Sequence, residues 1–160
     1  MVKRAGFSLI ELTVVIGLLS LLVLTITSTM LMSMVSSNRI RTATKIKQAG
    51  NYALGEIQFL LRNSKSITTC DSSSATISFI GQDGGSTEIL LESDRLASNS
   101  GVYLTPDSAT VSNYVLSCSP SDTEPSVVKV SFDLKSSVST TRASENPLLH
   151  FETSISLRNQ

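Results

Sequence analysis

The apolar residues divide the chain into stretches with different periodicities. From Leu12 to Ser37, a run of 26 residues, no side chain is charged and most are apolar. At about 1.5 Å per residue a helix of this length would measure roughly 39 Å, which exceeds the ~30 Å hydrocarbon core of a bilayer. The pattern therefore predicts a membrane-spanning helix near the N-terminus.

Beyond this stretch the apolar residues recur at alternating steps of three and four, which places them on one face of a helix. They are Ala43, Ile46, Gly50, Ala53, Ile57 and Leu60. Asn63-Ser64 is a suitable helix stop. We therefore expect one helix from Phe7 to about Leu61, roughly 80 Å long at 1.5 Å per residue. Its amphipathic second half should pack on the C-terminal part of the chain.

From about Ile67 the period changes to two, which is typical of β-strands. Residues 75–80 and 87–91 flank Gln82-Asp83-Gly84-Gly85, a pattern that predicts a hairpin. Residues 101–104 and 113–117 are shorter strand candidates, and 135–147 is a polar loop candidate. Two later runs alternate apolar with polar residues: Val128, Val130, Phe132 and Leu134, then Leu149, Phe151, Thr153, Ile155 and Leu157. We expect an α+β fold in which a small antiparallel sheet packs on the amphipathic helix.

Charge and cysteine content add two constraints. Thirteen basic and thirteen acidic residues give a formal net charge of zero, so no strong overall field indicates an acidic partner. Cys70 and Cys118 are a disulfide candidate if the chain is exported, and two unpaired thiols are the alternative. They lack the spacing of a zinc site.

The N-terminus differs from an ordinary secretory signal, whose apolar region is shorter and ends at a small-residue cleavage site. Here Lys3 and Arg4 precede Gly6, and the apolar run begins at Phe7 and contains Glu11. A carboxylate within a membrane segment costs about 2.5–3.5 kcal/mol at the centre and less near an end. Glu11 therefore requires either a partner or a position from which it snorkels to the interface.

The string Gly6-Phe7-Ser8-Leu9-Ile10-Glu11-Leu12-Thr13-Val14-Val15-Ile16 resembles the cleavage and methylation motif of type IV prepilins and pseudopilins. The resemblance covers roughly residues 3–40. It implies that a membrane peptidase cuts between Gly6 and Phe7, that Phe7 becomes N-methylated, and that Lys3 and Arg4 are the basic leader residues. It further implies that Glu11 sets the register of assembly by pairing with the amine of a neighbouring subunit. Such a pair would recover part of the cost of removing the carboxylate from water.

Three features favour a minor pilin or pseudopilin over a major pilin: the modest size of the chain, a missing proline and a cysteine pair that is internal rather than C-terminal. The chain also departs from the family pattern at two positions. The family's proline within the apolar segment is missing, since no proline precedes Pro106, and Ser20 replaces a glycine often found after Gly17. Small and hydroxyl residues recur there at a four-residue step, at Thr13, Gly17, Thr25, Thr29, Ser33 and Ser37. This spacing suits close packing against other subunits, and a lipid-facing helix with incidental threonines explains it almost as well.

The other candidate sites give weaker indications of function. His150 is the single histidine, and its strand position predicts a surface side chain. Arg39, Arg41, Lys45 and Lys47 form a basic cluster that is best explained as a solvated face, with lipid phosphates or captured DNA as weaker alternatives. The positive-inside rule would place this cluster, and not the N-terminus, in the cytoplasm. The motif favours a cytoplasmic N-terminus, and we follow the motif. No calcium-loop spacing or catalytic motif is present, so we expect no enzyme activity, no cofactor and no metal.

These observations predict a leader at residues 1–6, a transmembrane or filament-core helix at 7–37, an amphipathic helix at 38–63 and an extracytoplasmic β-rich domain at 64–160. The resemblance implies a subunit of a type IV pilus or type II secretion-like filament. Its expected partners are other pilin or pseudopilin subunits, the prepilin peptidase and methyltransferase, the inner-membrane assembly platform, and membrane lipid before assembly. It would span the inner membrane with a cytoplasmic N-terminus, then join a filament at the cell surface or in the periplasm. The alternative is a single-pass anchored domain that binds a ligand without forming filaments.

Overall fold

The computed structural model describes residues 8–99, 101–120, 125–137 and 146–157. One helix, α1, spans Leu9–Arg62 and is followed by seven strands. The strands are β1 (Ser66–Asp71), β2 (Thr76–Ile80), β3 (Ser86–Glu92), β4 (Arg95–Ser98), β5 (Ala109–Ser119), β6 (Val127–Ser136) and β7 (Leu149–Ser156). The α+β class with a long N-terminal helix packed on antiparallel sheet is therefore confirmed. Contacts divide the chain into two compact units, Met1–Asn38 and Arg39–Gln160.

Within the second unit the strands form two antiparallel sheets, where the sequence pattern predicted one. The order is β1-β2-β3-β4 in the first sheet and β5-β6-β7 in the second. The predicted hairpin is present: β2 and β3 are joined by a turn in which Gly84 has a φ of 81°. The Gly85 N–H in this turn donates to an Asp83 carboxylate oxygen at 3.0 Å.

The apolar alternation of β6 and β7 supplies much of the core. Val128, Val130, Phe132 and Leu134 are all fully buried, as their spacing predicted. Phe132 stacks on Phe151 of β7, with 5.5 Å between ring centroids. The predicted loop at 135–147 lies mostly outside the described residues.

Two short strand candidates differ from the structure. Residues 113–117 belong to the much longer β5, whose regular pairing is interrupted between Ser112 and Val115. Asn113 adopts a φ of 50° there, so the buried positions shift from odd to even numbers and the period of two is broken. Residues 101–104 form no strand, and Tyr103 makes a single bridge to Ala97.

The second half of α1 packs through the predicted face. Its buried residues are Ile46, Gly50, Ala53, Ile57 and Leu61. The last buried residue of this helix face is Leu61, whereas the predicted Leu60 is half-buried beside the core. Gly50 permits close contact, because a Cβ there would lie 2.2 Å from the Phe151 ring. The helix ends at the predicted stop, where the Ser64 hydroxyl donates to the Leu61 carbonyl at 2.8 Å.

Candidate functional site: an unpartnered apolar helix segment

The first half of α1 exposes its apolar side chains on all faces. Every described residue from Ser8 to Arg41 is exposed. The large apolar side chains between Leu9 and Ile40 have exposed fractions from 37% at Val35 to 80% at Leu9. Soluble monomers rarely expose contiguous apolar patches beyond a few hundred Å². This segment, residues 9–40, is therefore suited to an apolar environment supplied from outside the chain.

By length and composition, α1 is able to cross a membrane, and none of its most apolar stretch is buried within the chain. Such a helix is compatible with a single-pass membrane anchor. A cleaved signal sequence would share these properties, so length and composition alone do not distinguish the two.

The hydroxyl groups of the apolar segment bond to its own backbone. Thr13 donates to the Ile10 carbonyl at 2.9 Å, Thr25 to the Leu22 carbonyl at 2.8 Å, and Thr29 to the Ile26 carbonyl at 2.9 Å. A hydroxyl whose hydrogen is bonded in this way needs no donor partner from a surrounding apolar medium. Beside Gly17 no atom lies within 4 Å of an added Cβ, so a second helix can approach its backbone closely.

Of the predicted processing and assembly residues, the structure describes Glu11 alone. Lys3, Arg4, Gly6 and Phe7 lie outside the described residues. Glu11 is in the first turn of α1, where its N–H donates to the Ser8 carbonyl at 3.0 Å. A carboxylate at this end of a helix interacts favourably with the helix dipole. Its side chain forms no ion pair with any residue in the described part of the chain, so a partner would have to come from elsewhere.

The predicted disulfide is present. Cys70 on β1 and Cys118 on β5 are bonded, with 6.5 Å between their Cα atoms and 48 residues between them in sequence. Because β1 and β5 belong to different sheets, the bond connects the two sheets covalently. It is compatible with folding in an oxidising compartment.

His150 is exposed, as its strand position predicted, but it has a neighbour that the sequence analysis missed. Its Nδ1 lies 2.7 Å from a carboxylate oxygen of Asp133, and the other oxygen accepts from the Asn113 side-chain amide at 2.7 Å. The hydrogen bonds from Asn113 and His150 lower the pKa of Asp133. The register of β6 with β7 pairs Asp133 with His150, and a period of two alone does not reveal such a register.

A second cluster that sequence reasoning missed surrounds Arg95 at the end of the first sheet. Its guanidinium lies 3.8 Å from the centroid of the Tyr103 ring. It also donates to the Thr105 carbonyl at 2.6 Å and pairs with Asp107. These contacts fasten the segment after β4 to the edge of the sheet. The described residues contain no group of three or more His, Cys, Asp or Glu side chains that could hold a metal ion.

The basic cluster of Arg39, Arg41, Lys45 and Lys47 is exposed throughout.

Comparison with known protein families, curated proteins and solved structures found no match. The resemblance to prepilins therefore depends on the residues between about 3 and 40.

Proposed function

We propose that this chain is a minor pilin or pseudopilin, a structural subunit of a type IV pilus or type II secretion-like filament. In this proposal it is processed after Gly6, N-methylated on Phe7 and assembled through its N-terminal helix. The observation that carries the proposal is the apolar segment, residues 9–40, which is exposed along its whole length and is followed by a disulfide-linked β domain. The Gly6–Ile16 motif supplies the particular family.

An apolar segment exposed on all its faces suits both stages of such a pathway. Lipid can surround the segment before assembly, and other helices can replace the lipid in a filament core. Burial is favourable by about 25 cal/mol per Å² of apolar surface removed from water, so the chain cannot leave the membrane without a substitute environment. The hydroxyls donate hydrogen bonds to the helix's own carbonyls, which lowers the free-energy cost of placing them in lipid or in a filament core.

Glu11 gives the proposed filament its register. In an apolar bundle its carboxylate would be costly if it were unpaired. Cleavage after Gly6 would create a new α-amino group at Phe7, and the amine of a neighbouring subunit would neutralise Glu11. Only some axial offsets between subunits bring the two charges together, so the pair selects among them.

The same proposal specifies partners and location. Other pilin or pseudopilin subunits would contact the helix, the prepilin peptidase and methyltransferase would process residues 6 and 7, and the inner-membrane platform would drive assembly. The N-terminus would be cytoplasmic and the β domain extracytoplasmic, at the cell surface or in the periplasm. The role is structural and needs neither catalytic residues nor a cofactor.

The first test is the intact mass and N-terminal sequence of the protein from native membranes and from a sheared surface fraction. We expect a chain that begins at N-methylated Phe7. A chain that retains Met1, or that begins after the apolar segment, would contradict the proposal and leave an anchored or secreted β domain.

A second test uses Glu11→Leu, with Ile10→Leu as a control that keeps the carboxylate. We expect Glu11→Leu to insert in the membrane and to fail to enter filaments, while the control assembles. A simple membrane anchor would tolerate Glu11→Leu, because removal of the charge favours insertion.

A further inference from the structure

The outward face of the second half of α1 has an unusual composition for a solvated helix. Tyr52 and Phe59 are 62% and 61% exposed, although they belong to the half of the helix that packs on the β domain. They are seven residues apart and therefore project from the same side. Together with basic residues at spacings of three, four and seven they form one line, which we name the outward stripe: Arg41, Lys45, Tyr52, Phe59 and Arg62. This stripe lies opposite the buried residues Ile46, Gly50, Ala53, Ile57 and Leu61.

Charge is strongly segregated within the second unit. Residues 39–65 contain six basic residues and one acidic residue, a formal charge of +5. Residues 66–112 contain one basic and six acidic residues, a formal charge of −5. Because the whole chain is neutral, this division is invisible in the overall composition.

The basic residues of the stretch 39–65 are available to a partner. Arg39, Arg41, Lys45, Lys47, Arg62 and Lys65 are all exposed. Within the ranges that the structure describes, none of the six forms an ion pair. In the acidic region the single basic residue, Arg95, is paired with Asp107.

Four of these six acidic residues lie on β3, in its connection with β4 or in the loop after β4, beside exposed apolar groups. We name this surface the acidic patch; it comprises Glu88, Glu92, Asp94, Asp107, Val102 and Tyr103. Glu88 and Glu92 lie on the face of β3 opposite the buried Ile89. Glu92 accepts from the Gly101 N–H at 3.2 Å, which brings the loop containing Val102 and Tyr103 alongside. Val102 is 56% exposed and Tyr103 is 37% exposed.

We infer that the outward stripe of one copy of this chain docks on the acidic patch of a second copy. The two surfaces have opposite charge, and each offers aromatic or apolar side chains for an interface centre with charges around it. They are different surfaces of the same unit, so the contact is heterologous. A heterologous contact that does not close into a ring extends into a filament. The inference deepens the proposed function and rests on it, because it names one interface through which filament subunits meet.

The test uses the full-length chain in its native membrane. A photo-crosslinking benzoylphenylalanine replaces Tyr52 or Phe59, and in a separate variant Leu19 of the apolar segment. We expect Tyr52 and Phe59 probes to give covalent oligomers whose crosslinked peptides come from residues 83–107. Crosslinks to lipid, to nucleic acid, or between two copies of the outward stripe would overturn the inference.

Charge reversal provides the second arm. Arg41→Glu with Lys45→Glu makes the stripe acidic, and Ser86→Lys with Glu88→Lys makes the outer face of β3 basic. Each pair alone should lower the Phe59 crosslink yield by about tenfold. The stripe reversal places like charges together, and the β3 changes cancel most of the negative charge that attracts the stripe. All four changes in one chain should restore the yield. Lys129→Glu with Lys135→Glu on β6 changes the net charge by the same amount as the stripe reversal, outside both surfaces, and should leave the yield unchanged.

The outcomes distinguish the two proposals. If the Leu19 probe still crosslinks to other subunits while the four-change chain fails to recover the Phe59 crosslink, the docking inference is wrong and the filament proposal survives. If the Leu19 probe crosslinks to lipid alone, the filament proposal fails, and with it the basis of the docking inference.

Discussion

The two halves of α1 belong to one helix but have opposite relations to the rest of the chain. Residues 9–38 bury no side chain, whereas residues 39–62 bury a regular stripe against the β domain. The first half is the more hydrophobic of the two, so hydrophobicity alone does not predict burial within the chain. What distinguishes the halves is pattern: apolar residues on all faces in the first and on one face in the second.

The comparison separates two sources of stabilisation. The second half is stabilised by packing on its own β domain, as the contact of Gly50 with Phe151 illustrates. Under the proposed function, the first half is stabilised by lipid or by other subunits. Mutations in the second half should therefore change the free energy of unfolding of the domain, and mutations in the first half should change insertion or assembly instead.

The largest effect is expected from removal of the disulfide. A crosslink that closes a loop of 48 residues stabilises by about 4 kcal/mol on the chain-entropy model. Cys70→Ser with Cys118→Ser should lower the free energy of unfolding of the β domain by that order, while the apolar half stays helical in detergent. Urea unfolding followed by near-ultraviolet circular dichroism of the tyrosines measures the domain, and far-ultraviolet dichroism measures the helix.

Reductant provides the control for this prediction. Wild-type protein should lose stability on reduction, and the double serine variant should not respond. Equal stability of the reduced and oxidised wild type would contradict the prediction.

A buried and an exposed isoleucine in the same helix test the comparison directly. Ile57 is fully buried, and Ile16 is 56% exposed. Ile57→Ala should destabilise the domain by about 3 kcal/mol through lost burial and a cavity. Ile16→Ala should change it by less than about 0.5 kcal/mol. Equal effects of the two substitutions in urea unfolding would contradict the separation of the halves.

Gly50 and Gly55 form a matched pair within the second half. Alanine at Gly50 would force its Cβ against the Phe151 ring, whereas at Gly55 no atom lies within 4 Å. Gly50→Ala should destabilise the domain by about 1–2 kcal/mol, because overpacking exceeds the gain in helix propensity. Gly55→Ala should stabilise it by about 0.5–1 kcal/mol. A stabilising Gly50→Ala in thermal unfolding would show that the helix and β7 are not in close contact.

The smallest effect concerns acid stability of the domain. The folded-state pKa of Asp133 is lowered, so its contribution is present above its ordinary pKa of 3.8 and is lost as pH falls through the folded value. Asn113→Gly removes one donor and keeps a residue suited to the positive φ at this position. It should raise the pKa of Asp133 towards its ordinary value, which NMR titration of the carboxyl carbon would detect. An unchanged titration would show that Asn113 does not contribute.

Much of the fold was predictable because its elements have strong periods. The uncharged run corresponds to the exposed apolar segment. Two other patterns correspond to buried surfaces, namely the helix stripe from Ile46 to Ile57 and the alternation from Val128 to Leu134. The full extent of β5 was not predictable, since the irregularity at Asn113 breaks the period of two. The pairing of Asp133 with His150 and the contacts of Arg95 depend on strand register and loop path, which local patterns do not encode. For the candidate site, the sequence identified the apolar segment and Glu11, while the charge segregation became interpretable as surfaces only with the structure.

The link between Cys70 and Cys118 has a mechanical consequence. If tension enters the β domain through the end of α1 at Arg62, it reaches β1 and crosses to β5 through the disulfide. While the disulfide is intact, the backbone of residues 71–117 would form a loop that carries none of this tension. That loop contains strands β2, β3 and β4 and the part of β5 before Cys118. The covalent path of the force would therefore run through β1 and then through the strands that follow Cys118, β6 and β7.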